Sequence, residues 1–165
     1  MTETGGPDPR SIAERVLGAW ELVSYTTVSE TGQIAYPLGE RARGLIVYTA
    51  DGFMSAQIMR PDRPHYASRR VHGGAPDERA RAAAGYLAYS GRYEVDEAGN
   101  AIRHDVAVSL YPNWVGDRQL RHVEFTATTM TLSSDPLRFR TTTLFPRLVW
   151  QRPGTATAKE GHDAR

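Results

Sequence analysis

The side chains of this sequence able to do chemistry in an apolar setting are His104, Arg121, Tyr89 and Tyr93. Each sits in a run whose alternation turns it towards mostly apolar neighbours. Tyr89, Gly91, Tyr93 and Val95 share one face of an alternating run, with Ser90, Arg92, Glu94 and Asp96 on the other. A histidine titrates near neutral pH, so His104 is a candidate general acid or base. The alternative is a hydrogen-bonded structural histidine. A guanidinium facing apolar groups needs an oxygen partner, so Arg121 is a candidate clamp for a carboxylate, phenolate or enolate. It equally suits carbonyl groups at a rim. Inward tyrosines orient or protonate a ligand, or simply fill a core. The candidate catalytic set is His104, Arg121 and Tyr93. The candidate ligand contacts are Tyr48, Gln57, Met59, Tyr89, Trp114 and Phe125. Trp114 belongs to a Pro-Asn-Trp turn, where it either shields an entrance or anchors the turn.

Composition removes several other chemistries. The chain has no cysteine, so thiol nucleophiles, disulfides and Cys-type metal sites are excluded. Its one lysine, Lys159, lies in a polar C-terminal stretch, which leaves no Schiff-base residue in the folded part. The histidines (65, 72, 104, 122 and 162) show neither H-x-H nor H-E-x-x-H spacing, so no metal site is expected. No glycine pattern opens a helix after a strand, so no dinucleotide or other cofactor is expected either. Asp105 and Glu124 fall on the face opposite the apolar one, which argues against a glycosidase-type carboxylate pair. Twenty basic side chains against 19 acidic ones give a formal charge of +1. That balance provides no stripe for nucleic acid and no patch for anionic lipid. Residues 1–20 contain no apolar run of signal-peptide or membrane length, so a cytoplasmic location is expected.

The elements that must position these groups are mostly strands. With 165 residues, 40% of them hydrophobic and 24% charged, the chain reads as one folded domain over 11–152. Polar, Gly- and Pro-containing tails at 1–10 and 153–165 flank it. Period-two runs lie near 18–28, 43–50, 52–60, 89–96, 101–111, 118–127 and 129–134, with one more within 138–152. Turn dipeptides separate them, Asp51-Gly52 most strongly, for which a two-residue type I′ turn is expected. Pro76-Asp77-Glu78 followed by RARAAAGYLAY predicts one helix, with Ala80, Ala83, Ala84 and Leu87 on one face. A shorter turn at 11–17 offers Ile12, Val16 and Leu17 as a plug. The stretch 60–75 is long and polar, carrying Arg60, Arg63, Arg69 and Arg70, and with the helix after it resembles a portal or lid.

Two hairpins set the inward faces. A two-residue turn at 51–52 groups Leu45, Val47, Met54, Ala56 and Ile58 on one face. It places Ile46, Tyr48, Phe53, Ser55, Gln57 and Met59 on the other. Both faces are apolar; one lines the interior and the other needs a cover, from an N-terminal turn or a second copy in a homodimer. If Tyr111 pairs with Arg118, then His104, Val106, Val108 and Leu110 share a face with Gln119, Arg121, Val123 and Phe125. Many antiparallel strands with one mid-chain helix predict an all-β, closed barrel with an internal cavity and a helical lid. A cone-shaped α+β fold is the second choice, and it needs more helices than this chain offers.

The ordered set Gly18-Ala19-Trp20, Tyr36-Pro37-Leu38-Gly39, Gly44-Leu45-Ile46-Val47-Tyr48 and Asp51 to Ile58 resembles the bacterial and fungal family of lipocalin-like domains. Tyr89-Ser90-Gly91-Arg92-Tyr93, His104, Pro112-Asn113-Trp114-Val115-Gly116, Arg121 and Trp150-Gln151-Arg152 extend the resemblance over roughly 15–152. It implies a small β-barrel around a ligand cavity, with Trp20 and Arg152 as a structural pair. Fold alone does not fix chemistry. Two functions follow as expectations for a mostly apolar small-molecule partner. One is a cofactor-free cyclase or isomerase of secondary metabolism, acting on a polyketide- or terpenoid-like metabolite. The other is a non-catalytic intracellular binding or carrier protein.

Overall fold

The computed structural model describes residues 10–154, and the expected tails at 1–10 and 153–165 fall almost wholly outside them. The strands are β1 (Gly18–Ser29), β2 (Ile34–Ala35), β3 (Arg43–Tyr48), β4 (Phe53–Met59), β5 (Tyr86–Asp96), β6 (Ala101–Ser109), β7 (Arg118–Phe125), β8 (Thr129–Ser133), β9 (Leu137–Phe139) and β10 (Thr142–Gln151). They form one antiparallel sheet in the order β2-β1-β3-β4-β5-β6-β7-β8-β10-β9, and β1 also pairs with β10. That last pairing closes an eight-stranded barrel, with β2 and β9 as short additions outside the ring. Closure removes exposed edges, and a barrel of this strand number encloses room for one small ligand.

One end of the barrel is plugged. Helix α1 (Ile12–Val16) opens with a Ser11/Glu14 capping box and buries Ile12 and Val16. Glu97, in the β5–β6 turn, accepts hydrogen bonds from the backbone of Ile12 and Ala13 and so ties the helix down. Trp20 donates its indole N–H to the Val16 carbonyl at 2.8 Å. Arg152 lies 3.7 Å over the Trp20 ring and donates to the carbonyls of Leu17 and Arg15, both at 2.7 Å. Burying the two aliphatics of α1 contributes about 1.5–3 kcal/mol each.

The β3–β4 turn differs from the expected type I′ geometry. Thr49 N–H bonds the Phe53 carbonyl and Gly52 N–H bonds the Thr49 carbonyl, which makes a three-residue loop with Gly52 at φ +87°. One added loop residue changes the parity between the strands. Ile46 and Tyr48 therefore face inward together with Met54, Ala56 and Ile58, while Leu45, Val47, Ser55 and Gln57 face outward. Gly52→Ala should cost about 1 kcal/mol by chemical denaturation, because the turn demands positive φ although nothing crowds a Cβ there.

The helix expected through Leu87 stops earlier. Helix α2 spans Pro76–Ala84, ends at Gly85 and buries no side chain. Leu87 instead sits in β5 opposite Ile58, since pairing with β4 outweighs helix propensity. The 60–75 segment is tied to α2 by Glu78, whose carboxylate accepts from the Ala67 and Ala75 backbone; those bonds lower its pKa. Arg63 spans Met59, the Ala82 carbonyl and the Tyr86 ring.

The β6–β7 register is also displaced. Asp105, not Tyr111, pairs with Arg118. The slip is six residues, an even number, so His104 and Val106 keep their face. A bulge between Ser90 and Gly91 of β5 against Val108 and Val106 of β6 turns Val108 outward, and Leu110 is exposed as well.

Candidate functional site

A cavity of about 440 Å³ occupies the half of the barrel opposite α1. Its walls are apolar, from Ile46, Ala56, Ile58, Leu87, Leu132 and Leu148. Tyr25, Tyr89, Trp114, Arg118, Gln119, Arg121 and Asp135 place polar atoms on the same surface. Apolar walls with a few fixed polar groups are the usual make-up of a small-molecule site.

Below that cavity lies a buried polar triad. His104, with no solvent exposure, points inward from β6 between Tyr48 of β3 and Tyr89 of β5. Tyr48 Oη is 2.9 Å from His104 Nε2 and Tyr89 Oη is 3.0 Å from Nδ1. A neutral imidazole offers one N–H and one lone pair, so one phenol donates to the ring and the other accepts from it. Burial pushes the imidazole pKa from 6.5 down to about 3, and the Arg121 cation pushes in the same direction. Burial, chiefly, raises the Tyr48 phenol well above its usual range. The imidazole is thus neutral, and both of its ring nitrogens are paired within the network.

The remaining expected site residues separate. Tyr89 lines the cavity with its ring edge-on to Trp114 at 5.3 Å, and Trp114 in turn meets Tyr111 edge-on at 5.8 Å. Arg121 lines it too, donating to the Leu120 carbonyl at 2.8 Å and to Gln119 Oε1 at 3.4 Å. Tyr48 faces inward but lies under the cavity. Tyr93 packs edge-on to Tyr48 at 5.0 Å and donates to the Thr49 carbonyl at 3.0 Å, near the β3–β4 turn and away from the cavity. Phe125 lies at the plugged end, 6.1 Å from Trp20 and under the Arg15 guanidinium. Its face follows from alternation; its depth does not. Gln57 and Met59 line an outer groove with Leu45 and Tyr86, a consequence of the three-residue turn. The cover expected for that outer face is missing among the described residues, where Leu45 is 52% exposed.

Tyr25, Leu87 and Arg118 are cavity residues that sequence reasoning missed. Tyr25 faces inward because β1 bulges between Leu22 and Ser24, which reverses the parity set by Trp20. No local signal marks that bulge. Leu87 was hidden by the Ala-rich helix before it, although its alternation with Tyr89 was readable. Among the described residues no group of three or more His, Asp or Glu side chains is placed to hold a metal. Nor is any helix there long and apolar enough to cross a membrane.

Residues 17–153 match the family described as the lipocalin-like domain, which covers the whole barrel. The chain belongs to that family. This lipocalin-like protein is also similar to the 4'-hydroxy-3'-methoxypropiophenone carrier protein ppsC of Aspergillus oryzae. The two are 38% identical over 87 residues, spanning 49% of this chain and 78% of the relative. Fold, cavity and this kinship all support small-molecule binding by the lipocalin-like barrel.

Proposed function

We propose that this protein binds and carries a small aromatic, mostly apolar molecule without turning it over. The observation that carries this reading is the position of His104. It is the inward side chain whose ordinary pKa suits proton transfer near neutrality, yet both of its ring nitrogens are taken by protein phenols. What reaches the cavity is a set of groups that orient and hold: Arg121, Tyr25, Tyr89 and the ring of Trp114. The relative named as a carrier of a hydroxyaryl ketone supports the same class of cargo, a one-ring aromatic ketone.

The second reading, a cofactor-free cyclase or isomerase of a polyketide- or terpenoid-like metabolite, has one contact in its favour. Tyr89 both bonds His104 Nδ1 and lines the cavity, which makes its hydroxyl the group through which a proton would pass between them.

Intrinsic fluorescence separates these readings, since Trp114 and Trp150 line the cavity. Titrating with para-methoxyacetophenone should quench the signal to a one-to-one end point, with all of the compound recovered unchanged on denaturation. Ala56→Phe puts a ring into the cavity and should weaken binding by roughly a hundredfold or more, with little loss of stability because it fills empty space. Consumption of the compound in molar excess would establish the enzyme reading instead. Unaltered binding by Ala56→Phe would place the ligand elsewhere.

A further inference from the structure

Arg121 brings a charge onto the cavity wall that no carboxylate among the described residues matches. The other charged side chains lining the cavity are engaged: Arg118 Nε donates to Asp105 at 2.7 Å, and Asp135 Oδ1 lies 2.9 Å from His122 Nε2. Among the described residues no carboxylate lies within ion-pairing distance of Arg121. Its hydrogen bonds to the Leu120 carbonyl and Gln119 Oε1 use two of its five N–H donors, which leaves three. Tyr25, on the same cavity surface, has a phenol with no hydrogen-bond partner among the described residues. The Arg121 charge is felt at Tyr25, Tyr48 and His104, where it acts on the ionisation of each. The imidazole beneath is neutral and contributes no counter-charge. A cation held on a partly buried, mostly apolar wall is costly unless an oxygen anion joins it.

We propose that the ligand of this cavity carries an acidic oxygen, a phenol or a carboxylate, and binds as the anion with that oxygen against the Arg121 guanidinium and the Tyr25 hydroxyl. The inference rests on the binding reading above and names the group that the site selects. A guanidinium fork and a phenol O–H converging on one oxygen form charge-assisted hydrogen bonds, the stronger kind. The aromatic body then lies among the aliphatic walls and Trp114.

Three probes share one skeleton and differ at one position: para-hydroxyacetophenone, para-acetylbenzoate and para-methoxyacetophenone. The wild-type protein should bind the two acids at least roughly tenfold more tightly than the ether near neutral pH, where the benzoate is already ionised and the phenol ionises on binding. Because the anion is the preferred form, bound para-hydroxyacetophenone should show its phenolate absorption about one pH unit or more below the free compound. Arg121→Met should bring the affinities for the two acids down to that of the ether and abolish the spectral shift. Arg121→Lys keeps the charge but loses the fork, and should restore part of both effects. A gain for para-acetylbenzoate alone would assign the anion as a carboxylate; an equal gain for both acids leaves the shared chemistry as stated. Equal binding of all three probes, unaltered in Arg121→Met, would overturn the anion site while the binding reading stands. Failure of the wild-type protein to bind any probe would overturn the binding reading itself.

Discussion

Replacing His104 by alanine is expected to lower stability by about 3–5 kcal/mol, a large share of what a domain of this size has. Two costs add. The imidazole leaves a void in close-packed surroundings, and the buried hydroxyls of Tyr48 and Tyr89 both lose their recorded hydrogen-bond partner. Tyr48→Phe should cost less, about 1–3 kcal/mol, since it orphans only one ring nitrogen. A double-mutant cycle between the two positions should show strong coupling, because they share a single network.

The same histidine makes stability depend on pH. Its pKa is about 3 in the folded protein against 6.5 ordinarily, so between those values the unfolded chain binds more protons. The contribution is fully present above 6.5 and is lost as pH falls through the window, by up to about 1.4 kcal/mol per unit. Surface carboxylates with lowered pKa values, Asp77, Glu78 and Asp96, act in the same direction but only near and below their ordinary values. Thermal unfolding at about pH 7.5 and about pH 5 should therefore differ by about 2 kcal/mol in the wild type, and far less in His104→Ala. Retention of that difference in the variant would show that another group carries it.

Gly91→Ala is expected to disrupt the barrel outright. A Cβ at Gly91 would stand 1.8 Å from the Asp105 carbonyl oxygen and 2.9 Å from Ala107 N. Both are backbone atoms of the neighbouring strand, at the bulge where β5 and β6 change register. Neither can swing aside as a side chain does, so the strands must part or the bulge must move. A loss of more than about 4 kcal/mol, seen as aggregation in size-exclusion chromatography or a fall in Tm beyond roughly 10 °C, is the expected result. A soluble Gly91→Ala protein melting within a few degrees of wild type would show that the close approach is soft. The contrast with Gly52→Ala is the point: one glycine answers to φ, the other to a neighbour's backbone.

Much of this was readable from local pattern. Alternation in 89–96 put Tyr89, Gly91, Tyr93 and Val95 on one face, and that strand is built so. The barrel, the plug at Ile12 and Val16 and the helix beginning at Pro76 follow from the same kind of signal. His104 and Arg121 were placed on a common inward face although the pairing between their strands was wrong by six residues. An even slip moves side chains along a face without moving them off it. The β3–β4 turn had the opposite outcome: one extra loop residue exchanged Gln57 and Met59 for Ala56 and Ile58 as the residues inside.

The sequence by itself determined residue type, alternation and turn chemistry. Those suffice for a β-barrel with an apolar interior carrying a histidine, an arginine and tyrosines. Tertiary structure decided depth, parity across bulges and partnership. Tyr48 and Tyr89 meet His104 from 56 and 15 residues away. Tyr25 reaches the cavity only through a bulge, and Phe125 shares the right face at the wrong end. The physical reason is that period two is a local property of one strand. Which residues stand opposite one another depends on loop lengths, bulges and closure, each a whole-sheet quantity in which a single residue reverses the answer.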